Sequence, residues 1–299
     1  MKYAVAQDSR IGARRMNQDR IGFWSTSASA LMAVADGLGG HMHGEVAAQL
    51  VVELLGAVFE REARPRLADP AAFLERAINA GHAAIHRETQ RRGLSDTPRT
   101  VIVACVVQDG HAHWTHVGDS RLYLIRQGRI LHRTRDHTVV QQLIDTGRIR
   151  EEAMATHPDR NRLLQCIGGY QAPCLEPGAS ERLAQNDILL LCSDGFWGPL
   201  TQRQMLHSLL SRELRDAIPE LVTLAEHRAG GECDNVSVLA MRWGEAEVPA
   251  VAPAPLAEHV ATDVQDFTAT DLDFMRMSDE DIDKAIAEIK AALRKHSQP

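Results

Sequence analysis

The 299-residue chain carries a net charge of −7, with 44% apolar and 24% charged residues, the balance of an ordinary globular protein. That charge, with no Lys/Arg cluster interleaved with aromatics, argues against nucleic acid as a partner. No apolar stretch reaches the ~20 residues that cross a bilayer, so no membrane association is expected. The first residues, MKYAVAQDSR, turn polar too early for a secretion signal, and five scattered cysteines without a C-x-x-C pair suit a reducing compartment. A cytoplasmic location is expected.

Taken in chain order, the first strong element is a strand over 31–35, apolar throughout. A helix follows over 44–62, with Val46, Ala47, Leu50, Val51, Leu54 and Val58 on one broad face. Asp69 before Pro70 is an N-cap and first-turn pair, and the helix behind it turns Phe73, Ala77, Ala80, Ala84 and Ile85 to one side. Strands are expected over 101–107, 112–117, 122–126, 188–192 and 236–241. Several are joined by hairpin-length turns, Gln108-Asp109-Gly110 and Gln127-Gly128. Because strands come in runs rather than alternating with helices, the class is α+β with antiparallel sheets. Residues 1–243 form the folded region, 244–270 an Ala/Pro/acidic linker, and 271–299 a helical tail.

The chemistry lies in aspartates at strand ends. Asp36-Gly37 closes one apolar run and Asp194-Gly195 another. Asp119 follows Val117-Gly118, Asp234-Asn235 precedes a strand, and Asp19 ends the segment from Arg14. Singly, each fits an ordinary Asx or Asp-Gly turn. Together they form a carboxylate set without His or Cys, the donor chemistry that selects Mg²⁺ or Mn²⁺ over Zn²⁺.

Arg14, Asn17, Gln18 and Asp19; Asp36-Gly37-Leu38-Gly39-Gly40-His41 with Gly44-Glu45; and Gly118-Asp119-Ser120-Arg121 with Tyr123 recur as a series. Arg135-Asp136-His137-Thr138, His157-Pro158 with Arg160-Asn161, Ser193-Asp194-Gly195 and Asp234-Asn235 with Ser237 extend it. This order resembles the protein phosphatase 2C family, metal-dependent Ser/Thr phosphatases, in its bacterial form, across nearly all of 1–243. The resemblance implies a four-layered α-β-β-α sandwich and hydrolysis of phosphoserine and phosphothreonine on proteins, opposing a Ser/Thr kinase. It implies that Asp36 bridges two Mn²⁺ or Mg²⁺ ions, with the Gly37 carbonyl on one. Asp194 and Asp234 then serve one ion, Asp19 lies by the other partly through water, and Asp119 with Asp194 serves a third, weaker one. Arg14 matches the phosphate grip, a task suited to a planar guanidinium. Two such ions lower the pKa of a shared water for attack on phosphorus.

Some positions depart from the family pattern. Leu38 stands where eukaryotic members carry His; His41, three residues on, is the remaining candidate acid–base group or a loop-fixing residue. Gln18 replaces a frequent Glu, and Arg99-Thr100 a smaller stretch. His111, His113 and His116 are expected on one strand face, His132 and His137 in structural roles, and 145–169 as a flap that influences substrate choice or a plain surface connection. In the tail, Ser278 with Asp279, Glu280 and Asp281 starts a helix whose stripe includes Ile282, Ile286, Ile289 and Leu293. It packs on its own domain or docks a partner. Against the enzyme stand two alternatives: a catalytically weak metal-binding regulatory module of the same fold, and a small-molecule phosphatase.

Overall fold

A computed structural model of the chain describes residues 1–39, 43–175 and 179–244. His41, the linker beyond Gly244 and the 271–299 helix lie outside the described residues. The chain divides into two units, Met1–Ala246 and Glu247–Pro299, and every described residue belongs to the first.

Among the described residues, ten strands make two five-stranded antiparallel sheets. One runs β1(Tyr3–Arg10), β10(Val236–Trp243), β9(Ile188–Cys192), β6(Arg121–Arg126), β7(Arg129–Arg133). The other runs β2(Arg20–Ser25), β3(Ser29–Gly37), β4(Thr100–Gln108), β5(His111–Val117), β8(Ala179–Arg182). The pleat sends alternate residues to opposite faces. Leu189 and Leu191 of β9 meet Leu239 and Met241 of β10 and Met32 and Val34 of β3 between the sheets. Ile188, Leu190 and Cys192 face outward, onto Phe196, Leu209, Ile218 and Val222.

Those outer residues belong to α4(Asp194–Trp197), α5(Gln202–Ser211) and α6(Leu214–Ala229). The other sheet is covered by α1(Gly44–Glu62) and α2(Pro70–Arg92), in contact with β2, β3, β4 and β5. The expected α-β-β-α layering is therefore the architecture found. Asp69 caps α2 by accepting from the Ala72 amide at 3.0 Å, with Pro70 in the first turn, as the sequence predicts. Between β7 and β8 the chain forms α3(Val139–Asp145), a 3₁₀ turn at Glu151–Thr156 and irregular backbone. Isolated bridges Thr100–Ile167 and Thr138–Leu163 tie this flap to the body. Among the described residues, no helix is long and apolar enough to cross a membrane.

Candidate active site

The loop leaving β1 is fixed from below by Asn235. Its amide donates to the carbonyls of Ile11 at 2.8 Å and Met16 at 3.0 Å, and its oxygen accepts from the Gln18 amide at 2.8 Å. Gly12 has φ +60, and a Cβ there would lie 2.1 Å from the Asp234 carbonyl oxygen, so only glycine passes. Arg20 ties down the far end through the carbonyls of Asn17 and Asp19. The braced loop presents Arg14 outward: its side chain is half exposed and its Nη2 donates to Asp234 Oδ2 at 2.7 Å.

Asp36 and Gly37 end β3 where the backbone meets the start of α1. A Cβ on Gly37 would lie 2.5 Å from the Gly44 carbonyl group, and one on Gly44 would lie 2.8 Å from Gly37. Two glycines let strand and helix touch, which fixes where Asp36 points. The Thr100 hydroxyl donates to the Asp36 carbonyl at 2.7 Å. Gln18 donates from Nε2 to Glu45 Oε2 at 3.2 Å. A glutamate at position 18 would set two carboxylates against each other; glutamine supplies the missing donor. At the Arg99-Thr100 departure, the Arg99 carbonyl holds the Leu38 amide at 3.0 Å, and its guanidinium lies over the exposed Tyr170 ring.

Asp194 begins α4, and Gly195 beside it leaves room for the Asn235 carbonyl, 2.1 Å from where a Cβ would stand. Asp19 is buried and held by small hydroxyls. Ser193 Oγ donates to its Oδ2 at 2.8 Å, Ser237 bonds it as well, and Ser237 in turn meets Ser9 at 2.8 Å. Asp119 lies on the β5–β6 turn, its carbonyl accepting from the Trp197 indole at 2.9 Å.

The five carboxylates share one basin. Burial raises Asp19 to about 7 and Asp194 to about 6, and pushes Asp36 and Asp119 well above the usual range. In each case the other aspartates add to the rise by repulsion: Asp36 feels Asp19, Asp194, Asp119 and Asp234. Among the described residues, Asp19 Oδ1 and Asp194 Oδ1 are buried without a hydrogen-bond partner.

Dehydrated like charges with orphaned oxygens are what a divalent cation relieves, and the all-oxygen donor set fits Mn²⁺ or Mg²⁺. Among the described residues, no three His, Cys, Asp or Glu side chains close around a single point.

The histidines do not form the expected single face. His111 is exposed and His113 half-buried, but His116, three residues on, falls on the opposite face by the strand's twofold alternation. It is buried, bonds the Arg135 carbonyl at 2.7 Å and stacks on His137 at 4.4 Å. His137 Nδ1 accepts from the Gly118 amide at 3.2 Å, and burial next to His116 lowers it to about 4, so it stays neutral as a brace. Asn235 and Trp197 were not singled out by sequence reasoning for any role. The Asp-Asn pair beside a strand was the available signal for Asn235; for Trp197 there was none.

A family profile described as protein phosphatase 2C matches residues 6–223. The chain is 34% identical over 240 residues to the serine/threonine protein phosphatase PstP of Mycobacterium tuberculosis, covering 80% of this chain and 44% of that one. It thus spans less than half the length of that relative. The serine/threonine phosphatase structure from S. agalactiae superposes with a TM-score of 0.73 at 30% identity, covering 82% of this chain and all of that one. The catalytic domain of PstP, solved with two manganese ions, gives 0.69 at 31% identity, over 81% of this chain and 98% of that one.

Proposed function

The chain belongs to the protein phosphatase 2C family, a metal-dependent family, and we propose that it hydrolyses phosphoserine and phosphothreonine on other proteins. One observation carries this reading: five strand-end aspartates, with two orphaned buried oxygens, converge beside a half-exposed arginine. Asp36 is central, since every other aspartate of the set repels it, and it is the residue proposed to bridge two ions, with the Gly37 carbonyl on one. Asp194 and Asp234 serve one ion of that pair, Asp19 the other, and Asp119 with Asp194 a third. Divalent cations bound there supply Lewis acidity, lowering the pKa of adjacent water and drawing charge off the phosphoryl oxygens.

The chain's own residues do the rest. Arg14 turns from Asp234 to grip two phosphoryl oxygens with its fork, which orients phosphorus towards the acidic basin. The Asn235 brace holds that arginine's loop in register with Asp234, so phosphate grip and ion site move as one body. Ser193 and Ser237 keep the Asp19 carboxylate aimed by neutral donors, which adds no cation to compete with the ions. His41 remains the candidate acid–base or loop-fixing residue.

A Ser/Thr kinase of the same cell supplies the phosphoproteins, the flap biases their choice, and the tail helix docks a partner. The five cysteines are thiols among the described residues, in keeping with a cytoplasmic setting. The test is an assay of an aryl phosphate and a phosphothreonine peptide with EDTA, Mg²⁺ and Mn²⁺ in turn. Turnover of both, dependent on metal, is expected. Metal binding without turnover would instead make the chain a silent regulatory module, and turnover of the aryl phosphate alone a small-molecule phosphatase.

A further inference from the structure

The turn that carries Asp119 and the short helix that carries Asp194 are joined by one side chain. Trp197 lies three residues beyond Asp194, on the last residue of α4, so the two share a face of that single turn. Its indole N–H reaches out of the helix to the Asp119 carbonyl at 2.9 Å. The ring is itself clamped. The Arg121 guanidinium stacks on it with its carbon 3.3 Å from the ring centroid.

Arg121 cannot drift, because it is buried and forked onto Asp136, with Nε–Oδ1 at 2.8 Å and Nη2–Oδ2 at 2.7 Å. A third N–H meets the Tyr123 hydroxyl at 3.1 Å. A buried, two-pronged ion pair of this kind is costly to break once one partner is removed, so the platform under the indole is stiff. The other side of the Asp119 turn is pinned at Gly118, whose amide and carbonyl both bond His137, next in sequence to Asp136.

We propose that Trp197, held by Arg121 and Asp136, is a positioning residue that sets the spacing of Asp119 from Asp194 and thereby the affinity of the weakest, third ion. The proposal rests on the reading of Asp119 and Asp194 as that ion's ligands. Two ligands on separate elements hold an ion only if their separation is preset; otherwise binding must first order the turn. The indole fixes the main chain of Asp119 and leaves its carboxylate to the ion. Asp19, Asp36 and Asp234 lie outside this brace, so the two tighter ions, one of which shares Asp194, keep most of their ligands unaltered and should feel its loss far less than the third.

The test is a calorimetric Mn²⁺ titration of the whole chain and of Trp197→Phe, which keeps an aromatic ring for the guanidinium but loses the donor. Asp119→Asn marks what full loss of the weak event looks like. Outer-sphere partners of metal ligands are commonly worth 10–100-fold in affinity, so Trp197→Phe should weaken the weakest binding event about tenfold and leave the two tighter ones within about twofold. An unchanged weak event overturns the proposal, and so does equal weakening of all three, which means general loosening. If the unaltered chain binds only two ions, the third-ion reading has failed first, a result distinct from three events insensitive to Trp197. Should Trp197→Phe not fold, Arg121→Lys takes its place: it keeps the charge, loses the fork and the stacking plane, and should weaken the same single event.

Discussion

The two flanks of the acidic basin are built by opposite means. At Asp19 the protein holds the carboxylate itself, with serine hydroxyls, and buries it until its pKa reaches about 7. At Asp119 it holds the main chain, through an indole and, at Gly118, a histidine, backed by a buried ion pair. The first arrangement fixes a dehydrated anion that a cation must relieve. The second fixes the turn, and the carboxylate, buried as well, is not aimed by serine hydroxyls as Asp19 is. A tight and a weak ion site are the expected consequences, and the following experiments probe that contrast.

The largest effect belongs to the residue both flanks share. Asp36→Asn preserves size and hydrogen bonding but removes the charge common to both sides, so kcat/KM should fall by at least about 10³-fold, beyond the worth of a single transition-state donor. Asp194→Asn and Asp234→Asn should fall nearly as far. Near-native turnover by the Asp36 variant with Mn²⁺ present would rule out a shared ion at this position.

Arg14 leans on Asp234, on the Asp19 flank, and comes next. Arg14→Ala should raise KM for an aryl phosphate by about 10-fold or more, the worth of a charge-assisted pair of hydrogen bonds, with a smaller fall in kcat. Arg15, its neighbour, is exposed as well but is not the residue that matches the phosphate grip, and Arg15→Ala should leave KM near the parent value. The reverse ranking would mean that the loop presents the wrong arginine.

Asp19 allows a measurement without substrate. Its ordinary pKa is near 3.8 and its folded value about 7, so between those limits the metal-free folded protein binds more protons than the unfolded chain. The stability that Asp19 contributes in EDTA is therefore fullest at acid pH, falls as pH rises from about 4 to about 7, and is lost above that. Asp194, raised to about 6, adds to the same slope. Melting temperature should drop on the order of 5 °C across this range, Asp19→Asn should make the drop smaller, and saturating Mn²⁺ should remove it. A melting temperature that climbs from acid to neutral pH in EDTA would contradict the burial argument.

The layering and the aspartates were legible for one physical reason, and the omissions share another. The strands expected at 31–35, 101–107, 112–117, 122–126, 188–192 and 236–241 are interior strands, and most are buried on both faces, so their sequences are nearly continuous in Leu, Ile, Val and Ala. β1, β2, β7 and β8 went unread, and each is the edge of its sheet. Edges mix polar and apolar residues; β1 is half-buried along its whole length and places Gln7, Asp8 and Arg10 among its apolar positions. The aspartates stood out because they interrupt apolar runs. Their braces did not, because Asn235 and Trp197 act through the main chain of loops more than 75 residues away in sequence, which no local pattern encodes. The histidine face failed on simple parity: positions 111 and 113 share a side of β5, and 116 does not.

The smallest effect is expected furthest from both flanks. The last hydrogen bonds of the described unit are those of Trp243, which donates to the Asp187 carbonyl at 2.8 Å, and of Gly244, which donates to the Lys2 carbonyl at 2.9 Å. A chain ended after Gly244, one residue beyond the boundary expected from sequence, keeps every strand pair of β10, from Tyr3–Trp243 to Arg10–Val236. Its melting temperature and its kcat/KM on an aryl phosphate should stay close to those of the full chain, within about twofold for the latter, as for changes remote from packed features. Loss of folding or of aryl phosphate turnover would mean that residues beyond 244 belong to the core. If the small substrate is still turned over while a phosphoprotein no longer is, the helix expected from Ser278 onward acts as a docking element. Its linker of roughly 27 residues would then let it reach ~25–30 Å as a flexible chain. Equal rates on both substrates would leave the tail without a part in either flank's chemistry or in substrate capture.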